Sequence, residues 1–193
     1  MTKNRMEAFS DGVIAIIITI MVLELKVPHG TDWGALLPLY PVFLSYVLSF
    51  VFLGIYWNNH HHLFQAVRSV DGRVLWANLH LLFWLSLIPF VTRWVGENHF
   101  AALPVAMYGF ILLAAACAYF ILAHTLMAIH GKESTIARAL GRDIKGKISV
   151  VIYALAIPLA AARPVLACGL YVLVAVIWLV PDRRIEHALQ SAE

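Results

Sequence analysis

The chain has 193 residues and a mass of 21.5 kDa, enough for one domain. It is 62% hydrophobic and 13% charged, against about 45–50% and about 25% in soluble domains. A globule of this size cannot hide that excess, so a soluble enzyme, a disordered chain and a disulfide scaffold are excluded. The net charge of +3 would point to nucleic acid in a soluble protein. Here the basic residues lie between apolar runs, so they report membrane orientation, and no nucleic-acid partner is expected. An all-α integral membrane protein is expected.

A spanning helix needs about 20 mostly apolar residues, and six segments qualify or nearly do. The first, 4–26, reaches that length only by carrying Glu7 and Asp11 inside it. It lacks a small-residue cleavage site, so the segment is expected to stay in the mature protein. The second runs over 35–58, with Pro38 and Pro41 near its start. The third covers 74–95 and the fourth 100–130. The loop after it is the largest polar segment and reads as a solvated connector, the alternative being a short basic interfacial helix capped by Ser134 and running through Arg142, drawn to anionic lipid. The fifth, 148–162, and the sixth, 164–181, are short for full spans and meet at an Arg163-Pro164 turn. Together they make one six-helix domain over 1–193. With six spans, one side of the membrane holds eleven of the fourteen Lys and Arg residues. The positive-inside rule makes that side cytoplasmic, with both termini there, in a multi-pass protein of the cell membrane.

Ionisable groups inside a span are costly unless partnered, and the first helix carries the most unusual set: Arg5, Glu7, Ser10 and Asp11. At 100° per residue from Ile16, Ile20 falls at about 40°, Leu23 at about −20°, Thr19 at about −60° and Phe9 at about 20°. These residues form one stripe, while Ser10 at about 120° and Asp11 at about 220° lie away from it. The stripe meets either lipid or a copy of itself across a symmetry axis. In the second case Ile16, Ile20 and Leu23 would ring a narrow pathway, and such rings gate by dewetting. Asp11 reads either as a titrating proton or cation site or as a structural anchor with fixed donors. Donors on offer are Trp57, Asn59, His60 to His62 and Asn78.

Adjacent histidines on a helix point about 100° apart, so the His60 to His62 run does not chelate one ion readily. No zinc-type spacing completes it, and no metal or cofactor is expected. Cys117 and Cys168 read as free buried thiols. Phosphate loops, nucleophile elbows and HExxH are absent, and an enzyme is not expected. The Thr-Val-Gly-Tyr-Gly filter of potassium channels is absent too.

The run Arg5-Met6-Glu7-Ala8-Phe9-Ser10-Asp11-Gly12-Val13, then Ala15-Ile16, Thr19, Val22-Leu23 and Val27-Pro28, resembles the first-helix signature of the transmembrane protein 175 family. Its hallmark is R-x-x-x-F-S-D. Ser49-Phe50, Trp57-x-x-His60 with Leu63-Phe64, and Asn78 with Leu82 and Pro89 continue the likeness through the third helix. Beyond it, only the hydropathy is similar.

The resemblance implies a passive cation channel of six-helix subunits, assembled as a homotetramer with helix one lining a central pore. It places the constriction at Ile16, further layers at Ile20 and Leu23, and a position tied to potassium preference at Thr19. It makes Arg5, Ser10 and Asp11 a brace with Trp57, His60 and Asn78. The partners implied are K+, other monovalent cations and membrane lipid. Two rivals stay open: a proton-coupled carrier in which Asp11 titrates, and a non-transporting membrane scaffold using the His60–His62 edge.

Overall fold

The computed structural model describes residues 2–67, 69–131, 134, 137 and 143–179, all helices and connecting turns. Helix α1 spans Lys3–Leu23, and single turns of 3-10 helix at Trp33–Ala35 and Leu37–Leu39 lead into α2, Tyr40–Gln65. Then come α3, Gly72–Ser86, α4, Ile88–Glu97, and α5, Ala102–His130. Among the described residues α6, Ile144–Ala162, and α7, Pro164–Leu179, follow. Taking α3 and α4 as one span, five segments among the described residues are long and apolar enough to cross a membrane, and α7 is a shorter apolar helix. Most of the polar loop after α5 falls outside the described residues, as do residues 180–181 at the end of the sixth span.

Three local features follow from the chemistry of the chain. Between α3 and α4, Leu87 closes on Trp84 by a tighter i−3 bond and Pro89 enters the first turn of α4. Proline has no N–H to give the preceding turn, so the segment expected as one helix over 74–95 is broken in two. Helix α2 runs beyond residue 58 because its polar tail bonds to itself. Asn59 Nδ2 donates to the Ile55 carbonyl at 2.9 Å, and Gln65 meets His61 at 2.8 Å. The Asn58–His62 cluster is therefore helical. Only Arg163 separates α6 from α7, and Pro164 at the first position of α7 has its φ preset for a helix.

Helix α1 is laid against α2, α3 and α4, and α5 packs against α3 and α6, with α7 beside α6. Small residues set the closest approaches. A Cβ on Gly96 would lie 2.8 Å from the Val42 Cα, so α2 and α4 pack backbone to backbone there. The core is continuous through Phe52, Leu81, Leu85, Leu112 and Tyr171, all fully buried.

Candidate functional site

Helix α1 is divided lengthwise. Met6, Ser10, Ile14, Ile17 and Met21 recur at helical spacing and are buried against the bundle. On the opposite side Phe9, Ile16, Ile20 and Leu23 are exposed, Ile16 at 58% and Leu23 at 80%. Thr19 is exposed among them, and its hydroxyl donates back to the Ile16 carbonyl at 2.9 Å. Ile16 and Ile20 also line a groove of about 500 Å³ between α1 and the break at Ser86–Pro89.

The buried side holds a chain of polar groups linking three helices. The Ser10 hydroxyl donates to the Met6 carbonyl at 2.9 Å and accepts from Asn78 Nδ2 of α3 at 2.9 Å. Asn78 Oδ1 lies 2.8 Å from His60 Nε2 of α2. An amide oxygen only accepts, so the His60 proton sits on Nε2. The His60 ring packs on Phe64 at 4.6 Å between centroids. Ser10, Asn78 and His60 are buried to 1% exposure or less. Deep in an apolar bundle such groups are stable only when partnered, and here each has a partner.

Asp11 stands differently. Its Oδ1 accepts from Trp57 Nε1 at 3.0 Å, at an exposed position where Trp57 stacks on His61. Of the donors on offer, Trp57 is the one that reaches it. At about 220° on the helix, Asp11 falls on the flank of a buried face centred near 120°, so Ser10 rather than Asp11 points into the bundle. Arg5 is exposed and makes no ion pair or side-chain hydrogen bond among the described residues.

A second polar group ties the other end of α1 to α4, and sequence reasoning did not find it. Arg93 bridges Glu24 and Glu97, its Nε 3.3 Å from Glu97, and Lys26 reaches Glu97 at 2.8 Å. The signal available was opposite charge at the ends of the first and third apolar runs. Among the described residues no group of three or more His, Cys, Asp or Glu side chains is placed to hold a metal ion.

This fold and site define a class: a polytopic helical membrane protein whose first helix is polar-braced on one side and apolar and uncovered on the other. Comparison with known proteins places that fold in a family. The family described as "Endosomal/lysosomal potassium channel TMEM175" matches residues 5–89. A potassium channel of Chryseobacterium sp. (strain P1-3) is 56% identical over 99% of this chain and 100% of its own length. The human endosomal/lysosomal proton channel TMEM175 is 40% identical over 81 residues, which is 36% of this chain and 16% of the human one. The crystal structure of a lysosomal potassium-selective channel TMEM175 homologue from Chamaesiphon minutus superposes with a TM-score of 0.81. That match, at 29% identity, covers 93% of this chain and 97% of the other. The chain belongs to the TMEM175 family.

Proposed function

We propose that this protein is a passive potassium channel of the cell membrane, a homotetramer whose four α1 helices surround a central pore. Each 193-residue subunit is one six-helix domain with both termini cytoplasmic. Ile16, Thr19, Ile20 and Leu23 line the pathway, and selectivity comes from side chains rather than a cage of backbone carbonyls.

The observation that carries this reading is the two-sidedness of α1. Its buried face is pinned to α2 and α3 by Ser10, Asn78 and His60, which fixes the rotation of the helix. Fixed rotation commits Ile16, Ile20 and Leu23 to the outward face. Four such faces around an axis make stacked apolar rings. An ion crossing them gives up part of its hydration, so the expected conductance is low, and wetting of the Ile16 ring governs flow. The Chryseobacterium relative, similar along the whole chain, is named a potassium channel, which favours K+ over a carried solute.

A second reading, proton permeation, is favoured by one finding: the human relative, similar over part of this chain, is named a proton channel. The two separate in one experiment. Purified protein in liposomes is given an outward potassium gradient, with potassium efflux and internal pH followed together and protein-free vesicles as control. Potassium efflux supports conduction of K+. No potassium efflux by itself, with acidification that appears once valinomycin lets K+ leave and that needs Asp11, supports the second reading. Four copies per particle by light scattering are expected, and a monomer contradicts the central pore.

A further inference from the structure

A second concave site lies away from α1, between α2, α5 and α6. It is a crevice of about 510 Å³ whose floor is made by buried Phe52 and Tyr153 and whose rim includes exposed Phe120, Ile121 and Val151. That volume falls within the about 300–1,000 Å³ of small-molecule pockets. The rim residues lie on α5 and α6, both long and apolar enough to cross a membrane. Two polar pairs at the lining are engaged with each other. Trp178 Nε1 donates to Ser149 Oγ at 2.8 Å, and the Tyr119 hydroxyl donates to the Asn59 carbonyl at 3.3 Å.

One end of the crevice is charged. It closes at the first turn of α6, where Asp143 and Lys147 line it. The Asp143 carboxylate is occupied as a cap, its Oδ1 accepting from the Gly146 N–H at 2.8 Å. Lys147 is exposed and makes no ion pair among the described residues. An apolar slot that ends at a carboxylate engaged as a helix cap and at the Lys147 ammonium offers an acyl chain its lining and a phosphate one cation.

We infer that this crevice binds an anionic phospholipid of the surrounding bilayer, one acyl chain lodged between α5 and α6 and the headgroup phosphate against Lys147. The site is separate from the conduction reading and does not rest on it.

The test is photo-crosslinking of the full-length protein in phosphatidylcholine vesicles. These contain a small fraction of phosphatidylglycerol bearing a diazirine on one acyl chain, and adducts are mapped by peptide mass spectrometry. Adducts at Phe120, Ile121 and Val151 are expected to exceed those at Leu173, an exposed residue of α7, by at least about fivefold. Ala116→Phe fills the slot and is expected to remove most crevice adducts while leaving Leu173 unchanged. Should that variant fail to fold, Val151→Trp closes the rim from an exposed position and gives the same readout. Lys147→Gln is expected to lower labelling by the phosphatidylglycerol probe to the level of a diazirine phosphatidylcholine. Equal labelling of the crevice and Leu173 overturns the proposal, as does crevice labelling that neither filling substitution lowers. Equal labelling of the unsubstituted protein by the two probes overturns the anionic headgroup.

Discussion

Asn78 of α3 gives its amide proton to the Ser10 hydroxyl of α1 at 2.9 Å, across 68 residues of sequence and in complete burial. On its other side the same amide accepts from His60, so one side chain sets the spacing and rotation of three helices. The stripe of α1 can face outward because this joint holds the opposite face inward.

That joint is expected to act as a unit. Asn78→Ala strands both the Ser10 oxygen and the His60 N–H, and stranded buried groups cost about 1–3 kcal/mol. Single interhelical bonds in membranes average only about 0.6 kcal/mol, so stranding dominates the loss. Ser10→Ala with Asn78→Ala is expected to cost less than the two apart, by at least about 0.5 kcal/mol. Equilibrium unfolding in mixed micelles measures this, and strict additivity would show that the two residues do not communicate.

Gly96 is expected to tolerate no side chain. An added Cβ would approach the Val42 Cα to 2.8 Å, and a backbone atom cannot swing aside as a side-chain tip can. Overpacking of this kind costs about 1–3 kcal/mol. Gly96→Ala is therefore expected to lower the melting temperature in detergent. Gly54, whose Cβ would meet nothing within 4 Å, is expected to accept alanine without loss.

Asp71 caps α3, accepting from the N–H groups of Arg73 and Val74 at 3.0 Å. The Val74 backbone bond first, then the Arg73 side chain, hold its carboxyl below the usual 3.8. A depressed folded-state pKa means the cap stabilises above the usual value and is lost as pH falls through the lower one. Thermal unfolding of the parent is thus expected to show an acid-side decline that is shallower in Asp71→Asn. Superimposable profiles would remove Asp71 from the account.

The family was legible from the Arg5, Phe9, Ser10 and Asp11 motif together with its continuation through Trp57, His60 and Asn78, because that spacing is specific and the charges stand where an apolar helix should have none. Pairings were less so. Polar residues inside spans announce that partners exist, but six candidate donors stood open for Asp11, and which helix faces which is a tertiary matter. The structure gives Trp57 to Asp11, and Asn78 to Ser10. The break in the third span was written in Pro89, yet hydropathy runs unchanged through Leu87-Ile88, so composition alone shows one segment. The Arg93 cluster joins residues about 70 positions apart in loops and helix ends, where no periodicity marks a contact.

The Ile16 position carries the central claim, and its most direct test is potassium flux from liposomes holding equal amounts of the parent and of Ile16→Asn. A polar ring holds water where an apolar one sheds it, so faster flux through Ile16→Asn is expected, with both variants above protein-free vesicles. Flux that is equal in the two, or lower in Ile16→Asn at equal folding and insertion, would contradict a pathway lined by α1.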